Sequence, residues 1–141
     1  MNLTSLLQHL DCHNIDIWVE NGELLVGMEQ HTSLPDDIHE YIQVNKKVIM
    51  KRLLNNSFAR SRNWIVGNYG EVYSYQYSLT GYVFIERNKD ETVDVYRCKF
   101  DTNLHVTNIK GLHRNIRFST AYQKSKSFLK WFYGVNNHLK N

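Results

Sequence analysis

The chain has 141 residues, of which 42% are hydrophobic, 13% aromatic and 22% charged. This length fits one ordinary domain or two very small ones, and the composition is that of a globular rather than a disordered chain. No apolar run approaches the roughly 18 residues of a membrane-spanning helix, and the N-terminus lacks the basic start and apolar stretch of a secretion signal. We therefore expect a cytoplasmic location, no membrane contact, and two free thiols at Cys12 and Cys98.

Charge is divided unevenly along the chain. Residues 1–55 hold 4 Lys and Arg against 8 Asp and Glu, whereas residues 56–141 hold 13 against 6. Such a split predicts two units with different surfaces, one acidic and one basic. A basic unit can attract nucleic acid or an acidic protein, although the same charge is also ordinary for a globular domain.

The first unit begins with a helix and a hairpin. Leucines 3, 6, 7 and 10 follow helical spacing, with Asn2 or Thr4 as the candidate cap, and Cys12 to Asn14 ends that helix. Apolar residues 15, 17 and 19 then alternate with polar ones or Trp18, which is the period of a strand. The dipeptide Asn21-Gly22 predicts a tight hairpin turn, and the return strand covers residues 23–28.

Two further helices follow the hairpin. The segment from Ser33 to Asp36 predicts a helix start, with Ser33 as the cap and two aspartates opposing the positive end of the helix dipole. Asn45 is the candidate cap of the next helix. There Arg52 continues the apolar face with Val48, Ile49 and Leu53, and it also lies with the lysines on or beside the other side. Residues 55–57 end that helix, and we set the domain boundary there, giving domains 1–55 and 56–141.

The second unit has the period of an antiparallel sheet. Strands are expected at residues 72–79, 82–87, 92–100 and 104–109, and Trp64 with Ile65 is a candidate for one more. A final helix starts at Ser119 or Thr120 and stops near Gly134. The predicted fold is therefore α+β: an αββαα unit, then an antiparallel sheet of about four strands packed with a C-terminal helix.

The first unit resembles a known family. The pattern runs through Leu6-Leu7-x-x-Leu10, Asn14-Ile15-x-Ile17-Trp18, Asn21-Gly22-x-Leu24, Ser33-Leu34-Pro35, Asn45-Lys46-x-Val48-Ile49 and Leu53-Leu54. Over residues 3–54 it is similar to the N-terminal docking domain of the tubulysin-synthetase type, which opens some nonribosomal peptide synthetase and polyketide subunits. No synthetase domain follows, and residues 56–141 resemble no family we know.

The resemblance implies a homodimer that captures a short C-terminal peptide of another subunit along its exposed hairpin. The residues expected to form or flank this peptide-binding face are Trp18, Val19, Glu20, Glu23, Leu24, Leu25 and Val26. The physical reason holds without the family, because an open strand edge offers unpaired N–H and C=O groups to an extended peptide. A unit of about 50 residues also buries little surface, which favours dimerisation.

The second unit suggests a different partner. Its tyrosines 73, 75 and 77, together with nearby arginines, resemble a sheet that stacks nucleic-acid bases, although a tyrosine face buried under the last helix is the favoured interpretation. Basic side chains are candidates for contact with phosphates or an acidic partner, and solvated positions are again the simpler interpretation. These candidates are Arg60, Arg62, Arg114, Arg117, Lys124, Lys126 and Lys130.

Catalytic and metal-binding patterns are weak. Ser127 and Lys130 have the spacing of a nucleophile and its base, but no companion motif accompanies them. His9, Cys12 and His13 lie close together without an evident full set of metal ligands. The sequence therefore predicts no enzyme, no cofactor and no metal, but a homodimeric docking or adaptor protein. The alternative is an inhibitor or nucleic-acid-associated protein encoded by a mobile element, acting through its basic C-terminal domain.

Overall fold

The computed structural model describes residues 1–135 and has four helices and two antiparallel sheets. The helices are α1 (Leu3–Cys12), α2 (Asp36–Val44), α3 (Lys46–Ser61) and α4 (Phe118–Val135). The strands are β1 (Asp16–Glu20), β2 (Glu23–Gly27), β3 (Ile65–Gly67), β4 (Val72–Gln76), β5 (Gly81–Arg87), β6 (Val93–Phe100) and β7 (Val106–Ile116). The α+β prediction is confirmed. No helix within residues 1–135 is long and apolar enough to cross a membrane.

Helix α1 starts where its capping residues predict. The Asn2 side chain accepts a hydrogen bond from the Ser5 backbone N–H at 2.8 Å, and the Ser5 hydroxyl oxygen accepts one from the Asn2 backbone N–H at 3.0 Å. Each side chain thus pairs a backbone N–H at the helix start. The buried face of α1 joins residues of the first loop, α2 and α3 in one apolar cluster. Its members are Leu3, Leu6, Leu7, Leu10, Ile15, Ile38, Ile42 and Ile49.

The hairpin has the predicted turn. Asn21 and Gly22 have φ angles of 51° and 76°, the left-handed values that a two-residue turn with right-handed strand twist requires. The register pairs Glu20 with Glu23 beside the turn and Asp16 with Gly27 at the far end. Strand β1 runs close to α1 and α3, so β2 is the outer strand of this small sheet.

Helices α2 and α3 depart from the sequence expectation at their ends. Helix α2 begins at Asp36, after Pro35, and no side chain caps it, so the predicted cap at Ser33 is wrong. Asn45 does occupy the N-cap position of α3, but its side-chain amide donates to the Tyr41 carbonyl of α2 at 2.9 Å and makes no cap hydrogen bond to α3. The predicted helix end at residues 55–57 is also wrong, because α3 continues to Ser61. The division into two domains at residue 55 stays a prediction.

The larger sheet has five strands in the order β3-β4-β5-β6-β7, all antiparallel. The candidate extra strand near Ile65 is confirmed as β3, so the sheet has one strand more than the four main predictions. Strand β7 is longer than predicted and reaches Ile116. Gly134 was predicted to end the last helix but lies inside α4.

The inner face of this sheet is covered by α4 and by the end of α3. The Tyr77 ring lies 5.4 Å from Phe128 and 4.7 Å from Phe132, and the Tyr73 ring lies 4.9 Å from Phe118. Tyr73 and Tyr77 are buried, so the interpretation of the tyrosine stripe as a face packed under the last helix is confirmed. The rings of this face are therefore part of the core and are not free to stack on nucleic-acid bases.

Candidate partner-binding surfaces

The hairpin places an apolar pair on its outward side. Trp18 and Leu25 are directly opposite each other in the register, and the Trp18 side chain is 41% exposed. The Trp18 ring also lies over Gly27, where an added Cβ would be only 3.0 Å from Trp18 Cζ3. Gly27 thus leaves room for the indole to lie flat against β2.

Exposed carboxylates surround this apolar pair. Strand alternation puts Asp16, Glu20 and Glu23 on the same side as Trp18 and Leu25, and all three acids are exposed. We call these five residues the outer hairpin face. It combines an apolar centre with a negative rim, so it favours a partner that is itself apolar and basic.

The outer edge of β2 is open. Because a two-residue turn is flanked by a hydrogen-bonded pair, the pairs alternate from Glu20 and Glu23 onwards. Leu24 and Val26 therefore fall in the non-bonded pairs, and their N–H and C=O groups point away from β1. This sheet has only two strands within residues 1–135, so these groups are available to an added strand.

The seven hairpin residues selected from the sequence are brought together, but on two sides. Trp18, Glu20, Glu23 and Leu25 lie on the outer hairpin face. Leu24 and Val26 pack against the N-terminal apolar cluster, and Val19 pairs with Leu24 on that inward side. Leu24 and Val26 can contribute the backbone edge of β2 to a partner, and the outward residues can contribute side chains. Val19 lies on β1, away from that edge.

The seven basic candidates are all exposed, and most lie on or near α4. Lys124, Lys126 and Lys130 belong to α4, and Arg114 and Arg117 directly precede it. The guanidinium of Arg62 lies 4.0 Å over the Phe58 ring, which contacts Tyr122 of α4 at 4.8 Å. Trp131 and Tyr133 are exposed near the end of the same helix, at 58% and 42%.

A polar network centred on the buried Arg52 joins helices α1 and α3 of the N-terminal part to residues of the larger sheet and its loops. Arg52 is 3% exposed, and its guanidinium donates to Thr4 Oγ1 at 3.1 Å and to the two Glu91 carboxylate oxygens at 3.0 and 3.2 Å. Thr4 in turn donates to the Glu71 carboxylate, and Arg87 lies 3.3 Å from Glu91. We call Thr4, Arg52, Glu71, Arg87 and Glu91 the junction network.

The network continues into the core of the larger sheet. The Arg87 guanidinium donates to the Tyr73 hydroxyl at 2.8 Å, and that hydroxyl donates to Asn56 Oδ1 at 2.6 Å. Burial raises the pKa of the Tyr73 phenol, although the Arg87 charge opposes the change. The phenol therefore remains a neutral donor at physiological pH. In the adjoining junction network, Arg52 Nε is buried without a hydrogen-bond partner among residues 1–135.

The junction network was not predicted from the sequence, which left Arg52 at the border between the apolar face of α3 and its lysine side. The structure corrects this, since Arg52 is buried. The burial of Arg52 has a signal in the sequence, because Ile49, Arg52, Asn56 and Ala59 follow helical spacing on one face of α3. All four are buried. A lone arginine in an apolar stripe indicates a buried partner, but its identity needs the tertiary structure.

Two cavities of about 540 and 680 Å³ flank the network. Both are lined by Val48, Arg52, Arg87 and Glu91. Arg52 and Arg87 are already paired with Glu91, so these charged groups balance one another and hold the two parts together. Within residues 1–135, no group of three or more histidine, cysteine, aspartate or glutamate side chains is arranged to hold a metal ion.

The two thiols differ in their surroundings, which gives a simple solution test. Cys12 is exposed, whereas Cys98 is buried and its burial raises the pKa of the thiol. Since the thiolate is the reactive form, we expect a thiol-reactive dye at neutral pH to modify Cys12 quickly and Cys98 only after unfolding. Cys12→Ser should abolish the fast phase, and a fast phase that persists in this variant would contradict the burial of Cys98.

Comparison with known proteins identifies no relative. No family model matches the chain, and neither the curated proteins nor the solved structures contain a significant match.

Proposed function

We propose that the protein is a non-enzymatic docking or adaptor protein of the cytoplasm, a homodimer that binds an extended segment of a partner protein at its N-terminal hairpin. The observation that supports this most is the open edge of β2 beside the exposed Trp18. A peptide added to that edge pairs with the outward backbone groups of Leu24 and Val26, and affinity comes from these main-chain bonds. Selectivity comes from the side chains next to the edge.

The outer hairpin face defines the chemistry of this partner. Trp18 and Leu25 offer apolar contact, and large aromatic side chains are frequent anchors of binding energy. The exposed Asp16, Glu20 and Glu23 carry negative charge with no basic side chain among them. The bound segment should therefore place apolar residues over Trp18 and Leu25 and carry Lys or Arg beside the carboxylates.

The edge can be tested with two matched proline substitutions. Val26→Pro removes an N–H of β2 that points away from β1, and Val19→Pro removes the corresponding outward N–H of β1. Neither N–H takes part in the hydrogen bonds between the two strands. Peptides selected from a display library of short linear sequences should bind wild type and Val19→Pro but lose about tenfold or more with Val26→Pro. Equal binding by the two folded variants would contradict docking at the β2 edge.

The side-chain contribution is tested separately. Trp18→Ala should weaken the same peptides by roughly 30-fold, the effect of a typical binding hot spot of about 2 kcal/mol. Val48→Ala is a suitable control, since Val48 is a 39% exposed apolar residue outside the outer hairpin face. Peptide affinity that is unchanged by Trp18→Ala would contradict binding at the hairpin.

A second candidate function is binding of nucleic acid or a host complex by the basic C-terminal part, as in an inhibitor carried by a mobile element. It is favoured by the exposure of all seven basic candidates and of the nearby Trp131 and Tyr133. Under this function, replacing Arg114, Arg117 and Lys124 by Glu should abolish binding of a single-stranded oligonucleotide. Its affinity for wild type should also fall steeply from low to moderate salt. Salt-independent or absent oligonucleotide binding would exclude nucleic acid as the partner.

A further inference from the structure

The five-stranded sheet has a second face that no helix of residues 1–135 covers. Burial along β5 alternates, with Val83 and Ile85 buried on the inner face and Tyr82, Phe84 and Glu86 half-buried or exposed on the other. Phe84 faces Tyr96 of β6 in the register, and Tyr82 faces Cys98. We call the outer sheet face the surface formed by Tyr82, Phe84, Glu86, Asp94, Tyr96 and Phe100.

The rings of this face form a ladder of their own. Phe84 lies 5.3 Å from Tyr96 and 6.5 Å from Phe100, and Tyr82 lies 5.3 Å from Phe100. None of these four aromatic residues belongs to either apolar core cluster. An aromatic surface of this kind outside the core is typical of an interface, since single exposed apolar residues are common but a contiguous set is not.

The charges of the outer sheet face disfavour nucleic acid. Of its six residues only Glu86 and Asp94 are charged, both at the same end of the sheet. Hydrogen bonds from Asn88 and Asn115 and the nearby charge of Arg114 lower the pKa of the Asp94 carboxyl. The Tyr96 hydroxyl donates to Glu86 at 2.7 Å, and Asp94 accepts from the Asn115 backbone N–H at 2.9 Å. These rings could stack on bases, but the two carboxylates beside them would repel the phosphates.

The face is complementary to itself. A two-fold axis can run between two copies, parallel to their faces and perpendicular to the strands, and pass over Phe84. Rotation about this axis reverses the strand direction, so β5 of one copy lies antiparallel over β5 of the other. Residues two positions before and two after Phe84 then meet, so Tyr82 of one copy faces Glu86 of the other. The Tyr82 hydroxyl can donate to that carboxylate, and the aromatic centres of the two sheets meet at the axis.

The available area is sufficient for such a contact. Five strands about 4.8 Å apart and roughly six residues long cover on the order of 500 Å² of projected surface per copy. Two copies therefore cover about 1,000 Å² before the relief of the side chains is counted, which reaches the minimum area of roughly 1,000 Å² for a biological interface. The carboxylates lie at the end of this area, as is usual for a polar rim.

We propose that the outer sheet face is a homodimer interface in which two sheets pack face to face about a two-fold axis near Phe84. The argument is independent of peptide docking at the hairpin, because the two surfaces share no residue. The dimer leaves the outer hairpin face of each copy free, so a dimer would present two docking edges.

The test is the solution mass of the full chain by analytical ultracentrifugation over a range of concentrations. Wild type should sediment at twice the 16.7 kDa mass of the chain. Phe84→Glu places two carboxylates at the axis and should raise the dimer dissociation constant by at least about 30-fold. Leu79→Glu is the control, because Leu79 is 92% exposed in a turn outside the face.

Two substitutions at Tyr82 test the symmetry itself. Tyr82→Lys places a cation, and Tyr82→Glu an anion, opposite Glu86 of the other copy, and both remove the same ring. The Lys variant should dimerise at least about tenfold more tightly than the Glu variant, with the gap narrowing at high salt. A monomeric wild type, a dimer that survives Phe84→Glu, or Lys and Glu variants of equal affinity would each overturn the proposal.

Discussion

Arg52→Ala should lower the free energy of unfolding by about 3 kcal/mol, the lower part of the range for removing one partner of a buried ion pair. The substitution leaves Glu91 with Arg87 alone and deprives Thr4 and the Tyr69 carbonyl of a donor. We expect the lower part of that range because Glu91 is 34% exposed, so water can solvate part of its carboxylate.

Two further variants separate the causes of this loss. The free energy of unfolding of all three variants is measured in urea. Arg52→Met keeps most of the side-chain volume but removes the charge, so it should recover only the part of the loss that comes from packing. Lys51→Ala, one position away on an exposed part of α3, should change stability by less than about 0.5 kcal/mol. An Arg52→Ala protein as stable as Lys51→Ala would show that the junction network contributes little.

Local patterns were enough to predict the N-terminal elements and most of the sheet. The Asn21-Gly22 turn, the α1 cap at Asn2 and the alternation in β5 each depend on residues close in sequence, so they could be identified without the fold. The end of α3 could not, because Asn56 bonds Tyr73 of β4 and Ala59 joins a core cluster that includes residues of β5 and α4. Tertiary contact extended a helix that composition alone would have ended.

The two faces of the larger sheet show the same limit for the candidate sites. The packing of the Tyr73 stripe under the last helix was predicted correctly. The aromatic stripe on β5 and β6 was not identified from the sequence, because it depends on which residues of the two strands lie opposite each other. The Tyr73 stripe became core, and the stripe containing Phe84 stayed open. On the hairpin, the alternation separated Trp18 from Ile17 and Val19 within β1. The structure adds that Leu24 lies on the opposite side from Trp18 and that β2 is the outer strand.

Gly70→Ala should be about as damaging as Arg52→Ala, lowering the free energy of unfolding by roughly 2 to 5 kcal/mol. Gly70 has φ of +99°, a conformation that costs a residue with a Cβ about 1–2 kcal/mol or more. A Cβ there would also lie 2.3 Å from Asn56 Oδ1 and 2.7 Å from Arg52 Cδ, inside the polar chain that joins the two parts. Relieving such overpacking costs about a further 1–3 kcal/mol.

Two other glycines separate backbone strain from the clash. Gly22 has φ of +76° with nothing within 4 Å of an added Cβ, so Gly22→Ala should cost only the strain of about 1 kcal/mol. Gly111 has neither a positive φ nor a close neighbour, so Gly111→Ala should be nearly neutral. Denaturant unfolding of the three variants should rank them Gly111, Gly22, Gly70 in increasing loss of stability. If Gly70→Ala and Gly22→Ala lost the same stability, Asn56 and Arg52 would have to move aside at little cost, and the tight packing around the junction network would be refuted.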